Sequence, residues 1–223
     1  SMRQFDDLTY VHSVNVALIA SILGQWLKFS EKDIRILTIS GLLHDIGKIM
    51  IPNEILTKPG KLTVAEYNIM KQHVNFGYEK VKNQNIDIRI KEACLLHHEK
   101  CDGTGYPFGL KSDHIPAVAK IIAIADVYDA MTSARVYRGA LCPFEVIDTM
   151  YKDAFTKFEP EYILPFLKNV ASSYINNDVR LSDGRIGKVV LINENALSLP
   201  IVQCEDEFID LSKTRGLTVS AIL

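Results

Sequence analysis

The chain has 223 residues, 48% hydrophobic and 23% charged, which describes one sizeable globular domain with a small appendage and excludes a disordered or fibrous protein. Its 25 Lys and Arg against 27 Asp and Glu give a formal net charge of −2, so no global positive field draws it to duplex DNA or an anionic membrane, and an anionic substrate must be held by local charge. No apolar run approaches the roughly 18 residues of a membrane span, and the opening Ser-Met-Arg-Gln-Phe-Asp lacks a signal-peptide pattern, so a cytoplasmic location without membrane insertion is expected.

Apolar residues at helical spacing, Val11, Val14, Ala17, Leu18, Ile22 and Leu27, predict a helix over about Asp7 to Lys28. A second follows over Asp33 to His44, with Ser30 as its upstream cap, and Gly47 then turns the chain. Met50 to Leu62, with Pro52, Pro59 and Gly60, is expected to be an ordered loop holding at most one short turn. Thr63 and Glu66 fit a capping box opening a single helix through Tyr67, Met70, His73 and Val74 to Val81. Another helix is expected over Ile88 to about Glu99. Cys101 to Pro116 is too rich in Gly and Pro to be helical, and loops of that kind commonly carry function.

Ala117 to Met131 predicts a central helix, and Pro143 to Phe158 and Glu161 to Tyr174 complete a bundle. Beyond Asn176 the composition changes. Val179 to Leu181 and Ile186 to Ile192 flank Asp183-Gly184 as a hairpin, and Leu199 to Gln203 and Phe208 to Leu211 supply further short strands. Residues 1–176 are therefore expected to carry the chemistry, and 177–223 to form a small β subdomain serving stabilisation, dimer contact or partner binding. Cys94, Cys101, Cys142 and Cys204 contain no Cys-x-x-Cys pair and are expected as free thiols.

His12, His44, His73, His97 and His98 lie on, or end, helices that are otherwise apolar, together with Asp45 and Asp126. One such histidine is more often a core residue, and Asp45 alone a cap. Five with two aspartates favour metal coordination, because imidazole and carboxylate are what divalent first-row metals accept and the ions offset the burial cost. Adjacent His44 and Asp45 point about 100° apart on a helix and do not readily serve one ion. Two ions remove the difficulty, with Asp45 bridging them and the histidines divided between them; a bridging water then becomes hydroxide at neutral pH. The donor set suits iron or manganese, and zinc also accepts it. Lys48 is placed to meet a phosphoryl oxygen, and Arg135 and Arg138 to grip others, although taken singly the arginines fit a solvated basic patch equally well.

These residues fall within a longer pattern: His44-Asp45-Ile46-Gly47-Lys48, Lys58-Pro59-Gly60, His73, His97-His98-Glu99-Lys100-Cys101-Asp102-Gly103-Thr104-Gly105-Tyr106-Pro107, and Ala125-Asp126-Val127-Tyr128-Asp129 running to Arg135 and Arg138. Over roughly Thr9 to Phe166 the chain resembles the HD-GYP family of cyclic dinucleotide phosphodiesterases. The resemblance implies a mainly all-α fold, an HD-type helical bundle with the small C-terminal β appendage. It implies hydrolysis of cyclic di-GMP to linear pGpG and GMP, with His12, His44, Asp45, His73, His97, His98 and Asp126 as metal ligands and Asp45 bridging.

It further implies that Lys48, Arg135 and Arg138 contact substrate phosphate, with Asp129 grouped beside them, and that Gly105, Tyr106 and Pro107 shape the site mouth and meet cyclase domains. Some family members carry a Glu one turn before the first His that recruits a third metal. Leu8 stands at that position here, which implies a two-metal variant. Such domains usually follow a sensor or receiver, and this chain begins almost at the first ligand. Asp102 is a candidate proton donor to the leaving oxygen, or a brace for the glycine loop. Three other readings stay open: a non-catalytic cyclic di-GMP receptor, an HD hydrolase of another nucleotide, and an interaction module acting through the Tyr106 loop and the β tail. Expected partners are cyclic di-GMP, a cyclase domain or another signalling protein, and a second copy in a homodimer.

Overall fold

In a computed structural model, residues 2–133 and 141–223 are described, with side chains from residue 9 onward. Among the described residues, nine α-helices precede five strands: α1 (Met2–Trp26), α2 (Glu31–Leu43), α3 (Asn53–Leu56), α4 (Val64–Met70), α5 (His73–Val81), α6 (Ile88–Leu96), α7 (Ala117–Thr132), α8 (Pro143–Asp153), α9 (Pro160–Ser173), β1 (Asp178–Leu181), β2 (Ile186–Leu191), β3 (Ile201–Cys204), β4 (Glu207–Asp210) and β5 (Val219–Ile222).

The helix starts follow local chemistry. Ser30 Oγ accepts the Asp33 amide at 3.2 Å to cap α2. The Thr63–Glu66 capping box forms in full, Thr63 Oγ1 accepting from the Glu66 amide and Glu66 Oε2 from the Thr63 amide at 2.7 Å. α8 and α9 both begin with proline, whose fixed φ suits a first turn.

Val16, Ala20 and Leu23 of α1, Leu37 of α2, Ala93 of α6 and Ile121, Ile122, Ile124 and Ala125 of α7 are buried together in the main core. α7 is the central helix, flanked by α1, α2, α6, α8 and α9.

The single helix expected from Thr63 to Val81 is two. The Gln72 amide turns back to the Ile69 carbonyl, and the His73 ring donates from Nδ1 to the Met70 carbonyl at 2.7 Å, so the chain re-aims before α5. α6 ends at Leu96 rather than near Glu99, because the Glu99 carboxylate is drawn to the following loop. α8 stops at Asp153, where the Asp153 carbonyl receives the amides of Thr156, Lys157 and Phe158.

The strands form one open antiparallel sheet in the order β4-β3-β2-β1-β5. The expected hairpin is present, with Gly184 in the left-handed region its turn requires (φ 93°). β5 was not anticipated; it pairs with β1 and lies against α8. Val179, Val189, Val202 and Ile209 of the sheet join the same buried cluster as the helices. No helix among the described residues is long and apolar enough to cross a membrane.

Candidate metal centre

The bundle gathers residues far apart in sequence. α1 presents His12, His44 caps the end of α2, and Asp45 begins a 3-10 turn (Ile46–Met50) that carries Lys48. His73 opens α5, His97 caps α6 with His98 next to it, and α7 supplies Asp126 and Asp129. The turn can reach α5 only because residue 47 is glycine: a Cβ there would sit 1.9 Å from the His73 carbonyl oxygen and 2.4 Å from the Gly77 amide nitrogen. That approach brings Asp45 to His73.

Two ligand groups result. Asp45, His73, His97 and His98 offer atoms all within 4.8 Å of one another, and so do His12, His44 and Asp126. Asp45 faces both. Its Oδ1 lies 3.4 Å from His73 Nε2 and 3.8 Å from His97 Nε2, while its Oδ2 lies 3.2 Å from His44 Nε2 and 3.7 Å from His12 Nε2. Asp126 also touches both groups, 3.0 Å from His12 Nε2 through Oδ1 and 3.9 Å from His98 Nδ1 through Oδ2.

The tautomers follow from the outer contacts. His44, His73 and His97 each direct Nδ1 at a helix carbonyl, of Gly41, Met70 and Ala93, at 2.7, 2.7 and 3.0 Å. A carbonyl only accepts, so Nδ1 carries a proton and Nε2 is the nitrogen that each ring turns inward. His44 Nε2 and Asp45 Oδ1 are buried without a hydrogen-bond partner. An unpartnered inward nitrogen facing a carboxylate oxygen is costly unless a cation lies between them, so these residues fit divalent metal.

The electrostatics of His73, His97 and His98 agree with the donor chemistry, whereas for His12 burial is outweighed by Asp126 and Asp129, which raise it. Burial, with His98 and His44 adding to it, holds His97 well below the ordinary imidazole range, and burial brings His98 to about 4 against the opposing charge of Asp126. Burial also lowers His73, against Asp45. For Asp45 and Asp126 burial acts upward, but Lys48 and His44 on the first and His12 and His98 on the second outweigh it and hold both well below the carboxylate range. Neutral imidazoles and ionised carboxylates are what a divalent ion accepts.

Asp129 is buried, its Oδ2 accepts from His12 Nδ1 at 2.6 Å, and its Oδ1 accepts from Asn15 and Ser133, both at 2.9 Å, so both oxygens are engaged within the bundle and one of them orients the His12 ring. Lys48 pairs with Asp45 through Oδ2 at the more open side of the cluster.

Asp102 is exposed, its Oδ1 takes the Thr104 amide and hydroxyl at 2.9 and 2.7 Å, and these bonds hold it below the usual carboxylate range. Those bonds brace the glycine loop. Gly105 lies flat on the histidine segment, where a Cβ would stand 2.5 Å from the His98 carbonyl oxygen, and Tyr106 stacks on His98 at 4.7 Å between centroids. Pro107 follows in the same loop, partly buried. Cys94 donates to the Leu43 carbonyl and is pushed by burial up to about 12, and Cys101 is a free thiol outside both ligand groups. Arg135, Arg138 and the side chain of Leu8 lie outside the described residues.

Two residues escaped the sequence reading. Asn15, one turn after His12, holds Asp129, and its signal is a lone amide on an apolar helix face. Glu99 is buried and accepts from the Phe108 and Leu110 amides at 2.7 and 2.9 Å, fixing the loop above the cluster. Its signal is an acid directly after two candidate ligands.

A helical bundle that brings two His and Asp groups together on either side of Asp45 presents a donor set able to hold divalent metal. The HD domain family matches residues 6–162, and the chain belongs to that family, within the HD phosphohydrolase superfamily. The chain is 36% identical over 203 residues to the cyclic di-GMP phosphodiesterase PA4108 of Pseudomonas aeruginosa, covering 91% of this chain and 49% of that protein. It is 36% identical over 158 residues to 3′3′-cGAMP-specific phosphodiesterase 2 of Vibrio cholerae, covering 70% and 30%. The chain thus spans about half or less of the length of these relatives. The solved structure of Bd1817, an HDG"Y"P protein from Bdellovibrio bacteriovorus, shares the fold with a TM-score of 0.59 at 23% identity, covering 70% of this chain and 50% of that one.

Proposed function

We propose that this domain hydrolyses the 3′,5′ phosphodiester bonds of cyclic di-GMP, giving linear pGpG and then GMP, as a member of the HD-GYP group. The observation that carries the reading is Asp45 turning one oxygen to each ligand group, 3.4 Å from His73 and 3.2 Å from His44. The relatives named as cyclic di-GMP phosphodiesterases support the substrate class. We assign two divalent ions, iron or manganese, with zinc as a further occupant of the same donor set. One would be held by His73, His97 and His98, the other by His12, His44 and Asp126, with Asp45 common to both. When bound, such ions polarise a phosphoryl oxygen and lower the pKa of water at neutral pH.

The chain's own residues do the rest. Asp45 and Asp126 span the two groups and fix their separation. Asp129 holds His12 in its ligating tautomer. Lys48, which contacts Asp45 at the cluster, would offer its ammonium to the charge that grows on the phosphoryl oxygens during in-line displacement of the 3′ oxygen. Arg135 and Arg138 are assigned to further phosphate oxygens, and Gly105, Tyr106 and Pro107 to the site mouth. Residues 1–176 are assigned to the catalytic unit and 177–223 to a supporting β subdomain that serves partner or self-association.

A second reading is hydrolysis of 3′,3′-cGAMP, favoured by the identity to the Vibrio cholerae enzymes of that name. Anaerobic reconstitution with iron, manganese or zinc, then chromatography of products from both dinucleotides with metal content measured, tests the two together. Fully loaded protein that cleaves neither would sink the hydrolase reading.

A further inference from the structure

The helix α4 contributes no buried residue to the core, yet its last turn runs straight into the ligand His73. Tyr67 and Lys71, four residues apart, lie on one face of that turn. The Lys71 ammonium stands 5.2 Å from the centroid of the Tyr67 ring and 6.0 Å from that of Tyr106. The two tyrosines meet edge to face at 6.5 Å and 82°. Tyr106 in turn stacks on His98 at 28° between planes and meets His73 at 6.4 Å. A continuous path of rings therefore leads outward from two proposed metal ligands to Tyr67 and Lys71.

Among the described residues, neither outer residue is buried or part of an ion pair. Tyr67 is 48% exposed. Among the described residues no carboxylate lies within ion-pair distance of Lys71, whereas Lys48 and Lys58 nearby in sequence are paired to Asp45 and Glu66. An exposed aromatic face beside a cation held only by ring contacts is what a nucleotide needs: a surface on which a base can stack, and a charge for a phosphate. A cyclic dinucleotide carries two phosphates in one macrocycle, and while one is cleaved the other requires a partner elsewhere.

We infer that Tyr67 and Lys71 form a second substrate subsite, in which Tyr67 stacks on a nucleobase and Lys71 holds the phosphate that is not being cleaved. The inference rests on the cyclic dinucleotide reading and names how that substrate is told from a simple phosphodiester. Stacking on a ring is tolerant of base identity, so this subsite selects for a second nucleotide and not for guanine over adenine.

The test compares cyclic di-GMP with bis(p-nitrophenyl) phosphate, which has one phosphate and no base, on the metal-loaded chain. Tyr67→Ala and Lys71→Ala should each raise KM for cyclic di-GMP on the order of tenfold, with kcat within about twofold of wild type. Both should leave hydrolysis of the small diester unchanged, and Tyr67→Trp and Lys71→Arg should restore KM. Wild-type KM for cyclic di-GMP in both alanine variants overturns the subsite, and so does an equal loss on both substrates, which would mark damage to the cluster. Calorimetric binding of cyclic di-GMP, read independently of turnover, separates this inference from the reading beneath it. Binding that weakens in the variants while the wild type hydrolyses nothing upholds the subsite and removes the hydrolase; no binding to wild type removes both.

Discussion

His12 Nδ1 stands 2.6 Å from Oδ2 of Asp129, a residue 117 positions later on α7. Burial acts to lower the His12 pKa, but the bonds to Asp126 and Asp129 outweigh it and bring it to about 9 in the metal-free geometry. The contact turns the other ring nitrogen toward Asp126 and Asp45. A carboxylate behind a ligating imidazole fixes its orientation and raises its basicity. Asp129→Ala should therefore weaken metal binding by roughly 10–100-fold while the bundle remains folded, and metal titration followed by mass spectrometry would measure it. Wild-type affinity would show that the contact only packs α1 on α7.

Asp45 belongs to one group and turns Oδ2 to within 3.2 Å of His44 Nε2 in the other. Asp45→Asn is expected to lose most metal from both groups and nearly all turnover, whereas His44→Ala should lower the stoichiometry by about one ion per chain. Elemental analysis of the purified variants distinguishes them, and an Asp45→Asn protein with full metal content would refute the bridge.

Lys48 touches Asp45 but joins neither ligand group. Lys48→Ala should keep the metals and lower kcat/KM by roughly 10–100-fold, as expected for loss of one charged contact to a phosphoryl group. Retention of wild-type kcat/KM would remove Lys48 from the site.

At Gly47 the constraint is backbone against backbone. Gly47→Ala would press a methyl group onto the His73 carbonyl, and we expect Tm to fall by roughly 5 °C or more with loss of metal. A variant of unchanged Tm and metal content would mean that the turn can shift without consequence.

Glu66 is held to about 2, below its ordinary value of 4.5, first by the side chain of Lys58 and then by the amide and hydroxyl of Thr63. A depressed acid stabilises the fold above its unfolded value and loses that contribution as pH falls through its folded one. Glu66→Gln should therefore lower Tm at neutral pH, and the gap to wild type should close between about pH 4.5 and 2. Melting curves across that window suffice, and a gap independent of pH would assign the effect to shape alone.

The sequence by itself determined several helix starts, the first hairpin and the donor inventory. Ser30 and Thr63 with Glu66 announced their helix starts, Asp183-Gly184 its hairpin, and the His and Asp residues their chemistry, because each signal is local to a few residues. Only the tertiary structure decided how the donors divide. The break between α4 and α5 depends on the His73 ring donating to the Met70 carbonyl, and β5 exists only through its pairing with β1. Asp129 could not be assigned from its place in the motif. The family pattern grouped it with the phosphate contacts, while its partners His12 and Asn15 stand 117 and 114 positions earlier on α1, and only the packing of α1 on α7 brings the three together.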